Sequence, residues 1–312
     1  MNFLRNIMYT YYHVSLCYAR AMQMVSKRTL RYIAVLLAGV IVPLLPYFAS
    51  YIPSETKGDG KTLKVVIFDI GQGDSIFIQS PTGKQVLIDG GPDGTVLRRL
   101  ASEMGYFDRT IDMVVATHED RDHIGGLPDV FSHYHVGTFL RTENQGKSAE
   151  AHTIDDITKI GGSEIVYARR GMTFDLGAST TLTVLFPDRD PTNLEPNMSS
   201  IVAKLTYGTK SFLFTGDSPQ EIEKYLVSLD AAGLQSTVLK LGHHGSRTSS
   251  SREYLEAVHP EYGVVSSGKH NRYGHPHKEV VDLLHELGIA MPNTAEEGSV
   301  VFETDGQTLV KK

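Results

Sequence analysis

Three apolar stretches of this 312-residue chain each run out into a turn that carries histidine or aspartate. IDMVVAT passes directly into HEDRDHIGGL, which holds His118, Asp120, Asp122 and His123 within six residues. SFLFT ends in Gly216-Asp217-Ser218, and TVLKL ends in Gly242-His243-His244-Gly245. Side chains at the ends of neighbouring strands can meet at one edge of a sheet. Imidazole nitrogens and carboxylate oxygens gathered there are ligands that zinc, manganese or iron accept. Taken singly the signals are modest: strands often end in Gly-Asp turns, and a polar loop can follow any strand. Together they make one picture, a sheet edge with donors enough for two metal ions.

The remaining chemistry is narrowed by composition. The single cysteine, Cys17, can form no internal disulfide and leaves no thiolate for the main domain, so the 13 histidines are the pool of nitrogen ligands. A net charge of −6 gives no global basic field for holding nucleic acid. A polyanionic substrate would need a local patch or metal ions. No Ser-His-Asp or Cys-His set suggests a protein nucleophile.

Along the chain, residues 1–31 form a tail with no readable pattern. Residues 32–54 carry no charge, and IAVLLAGVIVPLLPYFASYI has the length of a membrane-crossing helix. Lys27, Arg28 and Arg31 precede it, which favours a cytoplasmic N-terminus and an extracytoplasmic domain. The segment reads as a single-pass anchor or as a cleaved signal peptide, with the anchor preferred. Residues 55–62 are a polar linker. From 63 to 312 the pattern is one α/β (α+β) domain. Strands are predicted at LKVVIFD, SIFIQS, KQVLID, IDMVVAT, TLTVLF, SIVAKLTY, SFLFT, TVLKL, YGVVSS and SVVFET. Helices are predicted at TVLRRLASEM, SPQEIEKYLVSL, SREYLEAV and HKEVVDLLHEL.

HEDRDH resembles the H-x-H-x-D-H signature of metallo-β-lactamase-fold hydrolases. The ordered string FDIGQGDSIFIQ, LIDGG, THEDRDHIGGL, FTGDS, LKLGHHGS and NRYGHPH resembles more closely the C-terminal domain of the ComEC competence family, which takes up DNA through a membrane channel. The resemblance implies a four-layer αββα sandwich with the metal site at the edge of its two sheets. It implies His118, Asp120, Asp122 and His123 as ligands, Asp217 as a bridging ligand, and one of His243 and His244 as the last. His243, nearest the strand end, is the expected one. Two divalent ions, manganese or zinc, are the expected cofactors. Asp120 stands where the general fold has a histidine, and LEPNMSSIV offers Asn197, Ser199 and Ser200 where it has another. A site so rich in oxygen leans toward manganese.

The expected reaction is phosphodiester hydrolysis, with DNA as substrate, by a hydroxide shared between two metals and oriented at Asp122. A hydrolase of another ester or a lactam, or a non-catalytic metal-binding module tethered at the membrane, is the alternative. One hydrophobic segment stands where that family has a many-helix channel, so a separate channel protein is a possible partner. Asp89 is expected to steady the metal loop. Gly71-Gln72-Gly73-Asp74 reads equally as a site loop or a hairpin turn. His275 could protonate a leaving oxygen or contact substrate, and Arg272 could pair with a phosphate. Ser246 and Arg247 are further candidates for phosphate contact. His133, His135, His152, His259 and His285 read as ordinary surface or half-buried residues.

Overall fold

A computed structural model of the chain describes residues 58–105, 107–144 and 148–312. The tail, the uncharged segment 32–54 and residues 55–57 of the linker lie outside them. Among the described residues no helix is long and apolar enough to cross a membrane.

The strands form two sheets. The larger contains β1 (Leu63–Ile67), β2 (Ile76–Gln79), β3 (Gln85–Ile88), β4 (Thr110–Val115), β5 (His135–Arg141), β6 (Glu164–Tyr167), β13 (Val300–Thr304) and β14 (Leu309–Lys311), in the order β14-β13-β1-β2-β3-β4-β5-β6. The smaller contains β7 (Thr173–Gly177), β8 (Thr180–Phe186), β9 (Val202–Tyr207), β10 (Lys210–Phe214), β11 (Val238–Lys240) and β12 (Tyr262–Val264), in the order β12-β11-β10-β9-β8-β7. Strands β3 to β6 run parallel, as do β10 to β12.

Strand alternation explains the layering. Leu63, Val65 and Ile67 of β1 point one way and meet Leu182, Val184 and Phe212 of the second sheet in a shared core. Val66, Phe77, Leu87 and Val114 point the other way. They are covered by α1 (Thr95–Glu103), α3 (Leu127–His133) and α4 (Ala149–Gly161), through Leu100, Val130 and Ile154. On the outer face of the second sheet, Leu213 and Leu239 pack under α5 (Gln220–Leu234), α6 (Arg252–Val258) and α7 (Lys278–Glu286). The result is the expected αββα sandwich. Where both faces of a sheet are covered, as at β3, β10 and β11, the parallel strands read as continuous apolar runs rather than alternating ones.

This topology places the site. The C-terminal ends of β3, β4, β10, β11 and β12 release Asp89, His118, Asp217, His244 and the loop bearing His275. Parallel strands of a sheet put such ends along one edge, the usual place for ligands in α/β proteins.

Candidate metal centre

After β4 the chain leaves its sheet at Ala116, and a single helical turn, α2 (Arg121–Ile124), carries Asp122 and His123. The glycines that follow are required by close packing. A Cβ on Gly125 would stand 2.2 Å from the Pro92 carbonyl oxygen, and one on Gly126 would stand 2.3 Å from that of Gly90. The loop after β3 therefore lies directly on the metal loop. It carries Asp89, which accepts the Thr117 amide at 2.8 Å and the Thr117 hydroxyl at 2.7 Å. Its Oδ2 also lies 2.8 Å from His123 Nδ1. With Asp89 on Nδ1, His123 turns Nε2 toward Asp217 Oδ1, 3.2 Å away. The same loop is held from behind by Arg141, buried between Glu119 at 2.6 Å and Asp155.

The turn after β11 is strained. His243 (φ 48°) and His244 (φ 58°) both adopt left-handed backbone, and Gly245 continues it. Each such non-glycine residue costs on the order of 1 kcal/mol. The turn separates the two rings. His244 is fully buried, with Nε2 at 3.3 Å from Asp122 and 3.6 Å from Asp217. His243 keeps 30% of its side chain exposed, with Nε2 3.6 Å from Asp217 and Nδ1 3.1 Å from the Thr248 hydroxyl. The geometry thus draws the second histidine of the pair into the buried group and leaves the expected one, His243, at the rim.

His118 lies against His123, ring centroids 4.1 Å apart, with its Nε2 3.6 Å from Asp120. Asp217 ends β10 between these groups, its amide donating to Ser200 Oγ at 3.2 Å. Ser200 thus supports the aspartate from the loop where the general fold has a histidine.

Charge in the group is tightly matched. Burial alone would push the Asp217 carboxyl up, but the neighbouring His244 and His123 rings hold it well below its ordinary value. Burial is likewise outweighed at Asp122, which His244 and His123 hold down to about 2. Burial lowers the basicity of His244, yet Asp217 and Asp74 raise it to about 9. His275 goes the other way: burial and the nearby His244 and His243 lower it to about 4.

The residues fit a metal. Nε2 of His118, His123 and His244 and Oδ1 of Asp217 are all buried without a hydrogen-bond partner. Each orphan of that kind costs about 1–3 kcal/mol. Asp74, His123, Asp217 and His244 offer donor atoms all within 4.8 Å of one another. A divalent cation accepts nitrogen and carboxylate oxygen together and would satisfy these atoms.

A cleft of about 230 Å³ opens above them, lined by Gln72, Asp120, Asp122, Asp217, His243, His244, Tyr273 and His275. Arg272 is exposed, with its guanidinium 4.9 Å from the Tyr273 ring, and does not line the cleft. Ser246 is buried with its Oγ engaged by Thr248, and Arg247 faces Glu279 at 3.8 Å. His133, His135, His152, His259 and His285 are exposed and away from the cleft. Sequence reasoning passed over Tyr273 and Lys240. Lys240 carried a usable signal: a lysine inside a buried parallel strand needs a charged partner.

Comparison with known proteins places the fold in a family. Residues 68–270 match the profile of the Metallo-beta-lactamase superfamily. ComE operon protein 3 of Bacillus subtilis is 29% identical over 260 residues, covering 77% of this chain and 33% of that protein. Competence protein ComA of Neisseria gonorrhoeae is 29% identical over 262 residues, covering 84% of this chain and 35% of that protein. The chain therefore spans about a third of the length of these curated relatives. Among solved structures, a metallo hydrolase from Ignicoccus hospitalis aligns with a TM-score of 0.51 at 17% identity, covering 78% of this chain and 99% of that one.

Proposed function

The chain belongs to the Metallo-beta-lactamase superfamily, and from that premise we propose that it is a two-metal phosphodiesterase acting on DNA outside the cytoplasmic membrane. The observation that carries the reading is the set of buried, unpartnered Nε2 and Oδ1 atoms converging beneath an open cleft. His118, Asp120, Asp122, His123, Asp217 and His244 are the residues that would hold the cations. Manganese or zinc bound there supplies Lewis-acid polarisation of a phosphoryl oxygen and lowers the pKa of the attacking water.

The chain's own residues do the rest. Asp122 stays a carboxylate and orients the attacking water as a hydrogen-bond acceptor. His275 is neutral at pH 7, which favours the second of its two roles read from sequence, contact with the substrate: it meets the phosphoryl group as an N–H donor. Arg272, exposed beside Tyr273, reaches the adjoining phosphate. DNA as substrate is supported by the competence proteins that the chain resembles. The uncharged segment 32–54, preceded by Lys27, Arg28 and Arg31, supports the extracytoplasmic placement, beside a separate channel protein.

The test is a substrate panel on metal-replete protein whose metal content is measured first. Single-stranded DNA, duplex DNA, a bis-aryl phosphodiester and a lactam are each offered with manganese or zinc. Close to two metals per chain and chelator-sensitive cleavage of DNA are expected. Metal uptake with lactam cleavage alone would remove the phosphodiesterase reading, and no metal uptake would leave a non-catalytic tethered module.

A further inference from the structure

Asp74 sits in the turn between β1 and β2 and is 1% exposed. Its Oδ2 takes the Lys240 ammonium at 2.6 Å, and its Oδ1 faces Nδ1 of His244 at 3.2 Å. Lys240 is also 1% exposed and donates to the Leu241 carbonyl at 2.9 Å. A carboxylate from the larger sheet thus grips two side chains carried by β11 of the smaller one and the turn after it. The backbone of the same turn is tied to both sheets. The Asp74 amide donates to the Asp122 carbonyl of the larger sheet's own loop at 3.1 Å, and the Gly73 carbonyl accepts the Ser266 hydroxyl, beyond β12 of the smaller sheet, at 2.7 Å. Gly73 (φ 133°) leaves no room for a side chain: a Cβ there would stand 2.2 Å from the Asp122 carbonyl oxygen.

By distance alone Asp74 could be a metal ligand. Two observations assign it a different part. The Lys240 ammonium against its carboxylate repels a cation that would bind there. The His244 ring also stands between Asp74 and the site, since Asp74 faces Nδ1 while Nε2 faces Asp122 and Asp217. Asp89 stands behind His123 on the corresponding side, hydrogen-bonded to Nδ1 at 2.8 Å with Nε2 turned to Asp217, whereas Asp74 Oδ1 and His244 Nδ1 face each other at 3.2 Å without a completed hydrogen bond.

We propose that Asp74, pinned by Lys240, is a positioning residue that receives the Nδ1–H of His244 and turns Nε2 into the metal site. The proposal rests on the metallo-hydrolase reading above and takes His244 as the ligand of its pair. Carboxylates behind ligand histidines fix the ring and its tautomer, and losing one typically costs about 10–100-fold in metal affinity.

Either partner removed alone leaves a buried unpaired charge, so the variant to make is Asp74→Asn with Lys240→Met, which removes both charges at similar volume. Zinc affinity of the full chain is read by chelator competition, with Tm and circular dichroism showing that the variant is folded. A fall of about 10–100-fold is expected; wild-type affinity in a folded variant overturns the proposal. A second readout needs no variant. Long-range nitrogen–proton NMR on histidine-labelled, zinc-loaded wild type should show His244 protonated at Nδ1, slow to exchange, and metal-bound at Nε2. Zinc on Nδ1, or an Nδ1–H that exchanges freely, overturns it. If wild type takes up neither zinc nor manganese, the hydrolase reading fails, and slow exchange of Nδ1–H in the metal-free protein still decides whether Asp74 holds the ring.

Discussion

The floor and the rim of the cleft are built from the same residue types and behave differently. On the floor, His118, His123, His244 and Asp217 are at most 2% exposed. His123 and His244 each have a buried carboxylate behind the ring, Asp89 and Asp74. At the rim, His243 touches a threonine hydroxyl, and His275 lies between His277 and Tyr273 with its Nδ1 unpartnered. An imidazole backed by a carboxylate is basic and fixed in orientation, suited to a cation. At the rim, burial and neighbouring imidazoles lower the pKa of both rings, that of His275 to about 4. Adjacency in sequence says nothing about this: His243 and His244 are neighbours and fall on opposite sides of the division.

The largest effect should come from the floor. Asp217→Asn keeps the shape and removes the charge between the proposed cations. Metal content should fall, and phosphodiesterase activity should drop by orders of magnitude with it. Elemental analysis and a DNA-cleavage assay on the same preparation check this; full metal content with full activity would end the two-metal account.

The histidine pair offers a sharper cut. His244→Ala should lower metal affinity by more than the roughly 10–100-fold typical of losing a supporting partner. His243→Ala should leave affinity intact and reduce turnover by about tenfold or less, the size of one hydrogen bond. Chelator competition on both variants decides it, and the reverse ranking would return the ligand role to His243.

A rim residue should show neither signature of the floor. His275→Ala should retain its metal and lose roughly 10–100-fold in turnover, as a hydrogen bond to a charged group would imply. A histidine lowered to about 4 is neutral throughout the range from about pH 5.5 to 8. The ratio of wild-type to variant activity should therefore stay flat over that range. A ratio that falls as pH rises would restore the role of cationic acid.

The same division separates what is legible in the sequence from what is not. Strands carrying the candidate ligands are legible because burial on both faces makes them apolar throughout. The ligand types are legible because histidine and aspartate gathered at three strand ends suit little besides a cation. Residues 127–177 are not: α4, AEAHTIDDITKIG, buries only Ala151, Ile154 and Thr158, and β6 lies at a sheet edge with its four side chains exposed or half-exposed. So sparse an apolar pattern gives no period to read. Nor is it legible which of His243 and His244 is buried, because that depends on two successive left-handed residues, which histidine adopts only under tertiary constraint. Asp74 reads as part of a hairpin turn because its partner, Lys240, lies far along the chain in the other sheet.

The smallest expected effect lies away from the cleft and tests whether the loop after His244 is held independently of metal. Glu223 of α5 is 1% exposed and accepts the backbone amides of Ser250 and Ser251, anchoring the end of that loop. Burial raises its carboxyl from an ordinary 4.5 to about 7, against the lowering effect of those two amides. In an acid whose folded pKa is raised, the folded state binds more protons than the unfolded state between the two values. Stability must then fall as pH rises across that window, a cost absent below about 4.5 and complete above about 7. The full cost is on the order of 3 kcal/mol, a Tm shift of several degrees for a domain of this size. Glu223→Gln cannot ionise, and its amide nitrogen faces one of the two backbone donors. The variant should be less stable than wild type at pH 5, and the gap should narrow toward pH 8. Thermal melts of both proteins at the two pH values check this, with metal removed so that the floor contributes equally. Parallel pH dependence in the two would show that Glu223 ionises as freely in the fold as in the unfolded chain.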